Sequence, residues 1–239
     1  MKTVDTGRRV ARAVLIFLKF PEPGRVKTRL ARALRPARAA ALYREWIGIV
    51  FARFQPLRST TRLVGYFDGA PYEAFRAWHA LADDWWPQPT GDLGERLVAG
   101  FERGFNLGGP VLAVGTDCLE VEADLLLRAF VELSCQDAVF GPTPDGGYYL
   151  IGLSAARPEL FRSIRWSSPF TLDDHLRCCR EKGWSASLLP MRHDIDTEND
   201  WHAYLLRTCR SGHIRGPRRQ RHKQDSASHR PQSRQHQRG

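Results

Sequence analysis

Short apolar segments alternate with amphipathic segments along most of the chain. Residues 13–20 form a nearly continuous apolar run rich in branched side chains, a pattern typical of a central parallel strand covered on both faces. Residues 111–114 form a second such run, which leads directly into Gly115, Thr116 and Asp117. This pattern predicts a buried strand that carries a carboxylate to the carboxyl edge of a sheet, where ligands bind in open α/β folds. Weaker strand patterns are found at residues 61–67, 85–86, 137–140 and 187–189, and the Pro-Asp-Gly-Gly turn within residues 141–153 leads into another strand.

Helical periodicity occupies the segments between these strands. Pro36 suits the first turn of a helix whose apolar stripe includes Leu42 and Trp46. Thr197 can cap the last helix of the chain, with Asp200 in its first turn. Further helices are predicted at residues 71–82, 120–133, 158–164, 171–182 and 201–209, and an amphipathic helix carries Leu97, Phe101 and Phe105. Because strands and helices alternate throughout, we expect an α/β fold with a doubly wound, mostly parallel sheet and helices on both faces, in a single domain.

The positive charge of the chain is concentrated at its carboxyl terminus. The whole sequence of 239 residues carries a formal net charge of +10. Residues 211–239 contain eight Lys or Arg and one acidic residue, Asp225, so they contribute +7 and the rest of the chain +3. This segment has almost no apolar residue after Ile214, which predicts a disordered tail. Its charge suits contact with nucleic acid or another acidic surface, although a solvated extension without a partner explains the same composition.

These patterns predict three regions: a frayed amino terminus at residues 1–11, a folded domain at residues 12–210 and the basic tail at residues 211–239. The five cysteines are odd in number and contain no C-x-x-C motif, so they favour a reducing cytoplasm over a disulfide framework. The apolar run at residues 13–20 is interrupted by Lys19 and is much shorter than a membrane span of about 20 residues. We therefore expect a cytoplasmic protein with no signal peptide and no membrane span.

A candidate anion site follows the first predicted strand. Pro23 and Gly24 form a rigid loop, after which Arg25, Lys27 and Arg29 open a helical pattern. The start of a helix presents free backbone N–H groups, and the added cations suit an anion such as a phosphate. The sequence therefore predicts phosphate binding at this loop.

Two carboxylates are candidates for a metal site. Asp117 ends the apolar run at residues 111–114, and Asp196 follows an isoleucine late in the chain. A divalent cation bound to phosphates typically takes one or two protein carboxylates and completes its shell with phosphate and water. Together with the cations around Lys27, these residues supply an anion-binding loop, a metal site and charge stabilisation for a leaving phosphate.

Two further positions have both a functional and a structural interpretation. Arg96 lies in the first turn of a helix, where a cation is unfavourable unless an anion lies near it. Asp145 lies in a Pro-Asp-Gly-Gly turn, and turn aspartates commonly serve only the turn. Gly146 and Gly147 allow a ligand to approach the backbone closely, which keeps a role in ligand binding open.

Several separated motifs also occur in the order found in one known family. They are K-F-P-E-P-G-R-V-K-T-R-L at residues 19–30, G-E-R at 94–96, G-T-D-C at 115–118, G-P at 141–142, D-G-G-Y-Y at 145–149 and D-I-D-T at 194–197. With these motifs the chain resembles the bacterial glycosyltransferase-like proteins of the DUF2064 type. That family belongs to the GT-A, or nucleotide-diphospho-sugar transferase, superfamily and is related to the guanylyltransferases that act on phospholactate and molybdopterin.

The resemblance implies roles for individual residues. It implies that Lys27 and Arg29 contact nucleotide phosphates, that Asp117 binds the metal, and that Asp196 completes a site for Mg²⁺ or Mn²⁺. The residues assigned to nucleotide binding are Pro23, Gly24, Lys27, Arg29, Arg96, Thr116 and Asp117. The residues assigned to acceptor binding are Asp145, Gly146, Gly147 and Tyr148. The chain departs from the family pattern at Leu119, where many members have proline, and from many nucleotidyltransferases at Pro21 and Pro23, which replace a glycine-rich loop.

The activity that the resemblance implies is a metal-dependent transfer of a glycosyl group from a nucleotide-sugar to an unknown acceptor, with Lys27, Arg29 and Asp145 as catalytic candidates. In the alternative, a phosphorylated acceptor attacks the α-phosphate of a nucleoside triphosphate and pyrophosphate leaves. A rival from another class is a non-catalytic protein that binds nucleotide or nucleic acid. A P-loop is excluded by the glycine spacing before Lys27, and a serine hydrolase by the absence of a G-x-S-x-G motif.

Overall fold

A computed structural model describes residues 12–210, so the predictions made for residues 1–11 and 211–239 lie outside the described residues. Within residues 12–210 a 7-stranded sheet has the order β3-β2-β1-β4-β6-β5-β7. Its strands are β1 (Ala13–Lys19), β2 (Arg62–Asp68), β3 (Asp84–Pro87), β4 (Val111–Gly115), β5 (Ala138–Pro142), β6 (Tyr148–Leu153) and β7 (Ala186–Leu188).

The sheet is mostly parallel, as the alternation of strands and helices predicted. β1 pairs in parallel with both β2 and β4, β2 with β3, and β5 with β7. The exception is β6, which runs antiparallel between β4 and β5. β5 and β6 form a hairpin because only residues 143–147 separate them, and that segment contains the Pro-Asp-Gly-Gly turn.

Helices cover both faces of the sheet. They are α1 (Thr28–Leu34), α2 (Pro36–Phe54), α3 (Leu93–Phe105), α4 (Ala123–Glu132), α5 (Thr171–Lys182) and α6 (Glu198–Arg210), together with 3₁₀ helices at Gln55–Leu57, Tyr72–Leu81 and Pro158–Phe161. Alternate residues of β1 serve the two sides: Val14 and Ile16 pack with α1, α2, α4 and α6, whereas Leu15 packs with α3 and α5. Among residues 12–210, no helix has the length and apolar character needed to cross a lipid bilayer.

Several boundaries differ from those that periodicity predicted. The segment Tyr72–Leu81 is a 3₁₀ helix rather than an α-helix. Its buried residues Phe75 and Trp78 are three positions apart, which matches the period of a 3₁₀ helix. The helix predicted at residues 120–133 begins only at Ala123, and Thr171, which belongs to α5, is its first helical residue rather than its cap.

The carboxyl ends of the parallel strands bring distant parts of the sequence together. β1, β2, β4 and β5 all end at the same edge of the sheet, as does β7. The strand order changes direction on either side of β1, because β2 lies to one side of it and β4 to the other. In open α/β sheets, ligands bind in the crevice at such a switch point, so the end of β1 and the end of β4 at Gly115 locate the candidate site.

Candidate functional site

A cleft at this edge consists of three adjoining lobes, each of which is lined in part by Asp117. The apolar lobe has a volume of about 340 Å³ and is lined by Phe17, Leu18, Gln88, Arg96, Leu97 and Val114 among others. The basic lobe, of about 300 Å³, is lined by Lys19, Arg25, Lys27, Thr28, Arg29 and Asp196. The acidic lobe, of about 540 Å³, is lined by Asp145, Tyr148, Trp166, Ser167, Asp194 and Asp196. Asp117 therefore lies where three differently charged surfaces meet.

The ammonium group of Lys27 lies between the two predicted metal ligands. Its Nζ is 2.9 Å from Oδ1 of Asp117 and 2.9 Å from Oδ1 of Asp196, and it donates to the carbonyl oxygen of Ile195 at 2.7 Å. Its side chain is 5% exposed, whereas both carboxylates are 44% exposed. Burial alone would lower the pKa of this ammonium, but the charges of Asp117 and Asp196 outweigh burial and raise the pKa above its usual value.

The backbone of Lys27 directs this side chain into the protein. Lys27 precedes α1 and has the left-handed values φ 46° and ψ 45°, which non-glycine residues rarely adopt. Such a conformation costs about 1–2 kcal/mol and persists only where other contacts compensate for it. The three oxygen contacts of the ammonium group provide that compensation.

The segment that carries Asp196 is attached to the end of β4. The backbone N–H of Ile195 donates to the carbonyl oxygen of Asp117 at 3.0 Å, and the Ile195 side chain is fully buried. Asp194 and Asp196, on either side of it, both line the acidic lobe. The apolar residue therefore anchors the segment and holds two carboxylates at the cleft. Burial, followed by the charge of Asp117, raises the pKa of Asp194 to about 7.

A buried hydroxyl pair fixes the end of β4 against β1. Thr116 donates to the carbonyl oxygen of Phe17 at 3.3 Å, so the hydroxyl of Tyr43 is the donor in its 2.8 Å contact with Thr116. The Tyr43 oxygen accepts in turn from the backbone N–H of Lys19 at 3.2 Å. Burial, together with the nearby Asp117 charge, raises the pKa of Tyr43 to about 12, so this hydroxyl stays protonated. These bonds hold Asp117 at a fixed position between the lobes.

Comparison with known proteins assigns the chain to a family. Residues 51–168 match the family described as uncharacterized protein conserved in bacteria, DUF2064. A crystal structure from Desulfovibrio desulfuricans G20 is described as a candidate nucleotide-diphospho-sugar transferase. Its sequence is 30% identical to this one, the match covers 82% of this chain and 87% of that chain, and the TM-score is 0.76. The chain belongs to the DUF2064 family. The fold is therefore that of the nucleotide-diphospho-sugar transferases, as the motifs implied.

More distant structures share the fold of this DUF2064 protein. Glucosyl-3-phosphoglycerate synthase from Mycobacterium tuberculosis, solved with Mn²⁺, UDP and glucosyl-3-phosphoglycerate, is 12% identical, with a TM-score of 0.52 over 86% of this chain and 81% of its own. Inositol-1-phosphate CTP transferase from T. maritima is 11% identical, with a TM-score of 0.53 over 83% of this chain and 94% of its own. No curated protein sequence matches the chain. These two likenesses concern the fold alone.

The donor set around Asp117 fits a divalent metal ion. Within residues 12–210 no three His, Cys, Asp or Glu side chains are arranged as a complete metal site. However, carboxylate oxygens of Asp117 and Asp196 converge on one point and hold a cation there, the ammonium of Lys27. Hard cations such as Mg²⁺ and Mn²⁺ prefer oxygen ligands, and Mg²⁺ commonly uses one or two carboxylates beside phosphate and water. The predicted pair is thus brought together and has suitable chemistry, and its role in metal binding stays a prediction.

The predicted phosphate-binding residues lie on different parts of the loop. Arg25, Lys27 and Arg29 line the basic lobe, and the Arg29 guanidinium is 71% exposed, 3.6 Å from Oδ2 of Asp196. Pro23 and Gly24 belong to the preceding turn, in which Gly24 has a φ of 81°. The turn therefore sets the direction of the loop, while the cations face the cleft.

Arg96 lines the apolar lobe, as expected of a nucleotide-binding residue, but the anion beside it belongs to the protein. Its guanidinium donates to Oδ2 of Asp68 at 2.9 Å, to Gln88 at 3.4 Å and to the carbonyl oxygen of Gly91 at 3.1 Å. The unfavourable position of a cation in the first turn is therefore explained by Asp68. An anion therefore does lie near Arg96, but it gives no separate indication of a ligand, and the role of Arg96 in nucleotide binding stays a prediction based on its place in the apolar lobe.

Asp145 serves the turn and also lines the acidic lobe. Its Oδ1 accepts from the Thr143 hydroxyl at 2.6 Å and from the backbone N–H of Gly147 at 3.2 Å. At Gly146, with a φ of 84°, a Cβ would overlap the carbonyl oxygen of Pro169. The close approach that Gly146 permits is therefore made by the protein's own loop and not by a ligand. This finding corrects the reason for which Gly146 was assigned to binding of the acceptor substrate.

Tyr148 forms part of the floor shared by the apolar and acidic lobes. Its hydroxyl is 3.2 Å from Nε2 of His175, a fully buried residue whose Nδ1 is 3.0 Å from the carbonyl oxygen of Leu160. A carbonyl only accepts, so Nδ1 carries the proton and Nε2 accepts from Tyr148. Burial lowers the pKa of His175 to about 4. The Tyr148 hydroxyl therefore donates its hydrogen bond to His175 within the protein.

Sequence reasoning missed three residues of the site. Tyr43 has the spacing of a core residue on α2, and only the fold shows that its hydroxyl reaches Thr116. Asp194 was quoted within a motif but given no role, although an acidic residue two positions before Asp196 in an extended segment was a usable signal. Trp166 lies between the helices predicted at residues 158–164 and 171–182 and was given no role, yet it lines the acidic lobe.

Proposed function

We propose that this protein is a metal-dependent glycosyltransferase that uses a nucleotide-sugar as donor. At the level of class, the family and fold are those of enzymes that transfer glycosyl or nucleotidyl groups. The observation that carries the finer proposal is the meeting of the apolar, basic and acidic lobes at Asp117. A nucleotide-sugar has an apolar base, a charged diphosphate and a hydroxyl-rich sugar, so its parts match surfaces of different character around one carboxylate.

In this proposal the base occupies the apolar lobe and the diphosphate lies in the basic lobe. Arg25 and Arg29 contact the phosphates from the exposed side of that lobe, together with backbone N–H groups at the start of α1. Lys27, whose ammonium contacts both carboxylates, also lines this lobe and can contribute charge once a metal shares Asp117 and Asp196. When bound, Mg²⁺ or Mn²⁺ supplies charge neutralisation for the departing nucleoside diphosphate.

The chemical step takes place between the basic and acidic lobes. A hydroxyl oxygen of the acceptor bonds to the anomeric carbon of the donor sugar, the bond from that carbon to the diphosphate oxygen breaks, and its electron pair leaves with the diphosphate. The hydroxyl proton passes to a carboxylate of the acidic lobe. Asp145 is our candidate for that base or for orienting the acceptor, since Gly147 and Thr143 fix its position.

The nucleotidyl alternative is separated from this proposal by ligand choice. Isothermal titration with UDP-glucose, GDP-mannose, GTP and CTP, each with Mg²⁺ or Mn²⁺, compares the two donor classes directly. We expect metal-dependent binding of a nucleotide-sugar in preference to a nucleoside triphosphate. Tighter binding of a triphosphate, with release of pyrophosphate on turnover, would establish the nucleotidyl reaction instead. Binding of nucleic acid alone would favour the non-catalytic rival.

A further inference from the structure

The acidic lobe is lined mainly by acidic side chains, and this restricts the charge of the ligands that it can bind. Four carboxylates line it, those of Asp117, Asp145, Asp194 and Asp196. Among the described residues that line this lobe, Arg29 is the one cation, and its guanidinium is already 3.6 Å from Asp196. The ammonium of Lys27 compensates Asp117 and Asp196, which leaves the carboxyl groups of Asp145 and Asp194 facing an incoming acceptor. The lobe therefore offers hydrogen-bond acceptors but little positive charge.

This charge acts against a phosphorylated acceptor. Two like charges about 5 Å apart repel enough to weaken binding about fourfold even at the dielectric constant of water, and a phosphate monoester carries nearly two negative charges. The basic lobe next to it, with Lys19, Arg25 and Arg29, would attract the same phosphate instead. Hydroxyl groups, in contrast, donate hydrogen bonds to carboxylates without any charge penalty.

An aromatic side chain provides a second, independent feature of the lobe. Trp166 is partly exposed there, and its ring is held by an edge contact with His175 at 5.5 Å and 65°. A Cβ at Gly94 would meet the indole Cζ2 at 3.1 Å, so the start of α3 also packs closely against this side chain. A fixed aromatic surface beside carboxylates suits a ring that is apolar on its face and hydroxylated on its rim.

We propose that the acidic lobe accepts an uncharged polyhydroxyl compound, such as a sugar ring, which stacks on Trp166 and donates hydroxyl hydrogen bonds to Asp145 and Asp194. This inference rests on the proposed function, in which the acidic lobe is the acceptor site. It makes the nucleotidyl reaction, which requires a phosphorylated acceptor, the poorer fit to this lobe.

Three matched probes test the proposal on the full chain. Methyl α-D-glucopyranoside, glucose 6-phosphate and glucosamine are titrated by ligand-observed NMR in the presence of Mn²⁺ and of whichever nucleotide binds in the donor titration. We expect the neutral glucoside to bind about tenfold more tightly than the phosphate ester. Equal or tighter binding of the phosphate ester would overturn the inference, and so would a tenfold preference for the cationic amine.

Variants locate the effect. Trp166→Ala should weaken glucoside binding at least tenfold while nucleotide binding is kept, and Trp184→Ala, which removes an indole that contacts Arg157 elsewhere, should change neither. Should Trp166→Ala not fold, Asp145→Asn with Asp194→Asn provides the second test. Less negative charge then faces a phosphate, which should raise the affinity for glucose 6-phosphate relative to the glucoside about tenfold. An unchanged ratio contradicts the proposal. If the unaltered protein binds none of the nucleotides in the donor titration, the proposed function itself is refuted.

Discussion

The basic lobe and the acidic lobe adjoin at Asp117, yet their charges are opposite. The cations of the basic lobe come from the end of β1, the loop after it and the start of α1, so they lie close together in sequence. The acidic lobe collects its carboxylates from the ends of β4, β5 and β7. The difference shows that local sequence can create an anion site, whereas the acidic surface exists only after the sheet has formed. Lys27 connects the two lobes, because its ammonium contacts the carboxylates of Asp117 after β4 and Asp196 after β7.

Replacing Lys27 should have the largest effect on this arrangement. Lys27→Met removes the cation between Asp117 and Asp196 and leaves only the exposed Arg29, 3.6 Å from Asp196. Losing one partner of a buried ion pair costs about 3–5 kcal/mol, and because both carboxylates are 44% exposed, screening reduces our expectation to about 2–3 kcal/mol. Urea unfolding measures the loss, with Lys182→Met at the exposed end of α5 as the control.

The same variant tests whether Lys27 and a metal compete for the carboxylates. Mn²⁺ should recover more unfolding free energy in Lys27→Met than in the unaltered protein, because the metal then has no ammonium to displace. Equal stabilisation of both proteins by Mn²⁺ would show that the metal binds elsewhere.

The wall of the acidic lobe can be tested with two glycines of similar backbone conformation. Gly146 and Gly24 have φ values of 84° and 81°, but a Cβ at Gly24 has no atom within 4 Å, whereas one at Gly146 overlaps Pro169. Both alanine variants bear the left-handed conformational cost of about 1 kcal/mol. Gly146→Ala should lose about 2 kcal/mol more, since overpacking adds to it. Equal losses in thermal or urea unfolding would mean that the loop at Pro169 moves aside without cost.

The buried histidine beneath the acidic lobe gives a smaller, pH-dependent effect. The pKa of His175 is lowered from about 6.5 in the unfolded chain to about 4 in the fold, so the unfolded chain binds the proton first as the pH falls. Stability due to this residue is therefore complete above about pH 6.5 and declines towards pH 4. Between pH 7 and pH 5 we expect His175 to account for a loss of about 2 kcal/mol.

The measurement compares urea unfolding of the unaltered protein and His175→Gln at the two pH values. The variant should show the shallower decline, because glutamine does not titrate. His202→Gln, on the exposed side of α6, serves as the control and should behave as the unaltered protein. Parallel declines for all three proteins would mean that His175 already carries a proton in the folded state.

Much of the fold was predictable because its decisive signals are local. β1 and β4 are continuous apolar runs, and α6 begins with the predicted capping contacts. The backbone N–H of Thr197 donates to the Asp200 carboxylate at 2.8 Å, and the backbone N–H of Asp200 donates to the Thr197 hydroxyl at 3.3 Å. The 3₁₀ helix at Tyr72–Leu81 was mistaken for an α-helix because periods of 3.0 and 3.6 residues are hard to separate over so short a segment.

The site was predictable only in part, since its contacts connect distant residues. Asp117 and Asp196 were paired correctly in space because each follows an apolar segment that ends at the same edge of the sheet. No local pattern indicates that Lys27 lies between them or that Arg96 has Asp68 as its partner. Those contacts depend on how closely separate loops approach one another, and that distance is set by the packing of the whole sheet.

Titration of UDP-glucose in the presence of Mn²⁺ into the unaltered protein and Asp117→Asn tests the central claim most directly. Asp117 lies where the three lobes meet, and its half-exposed side chain can change without disturbing the core. Because loss of a residue that merely supports a metal ligand weakens binding 10- to 100-fold, loss of the ligand itself should weaken metal-dependent binding about 100-fold or more. Asp124→Asn, an exposed aspartate of α4, should leave it unchanged. Equal Mn²⁺-dependent binding by folded Asp117→Asn and the unaltered protein would contradict the account.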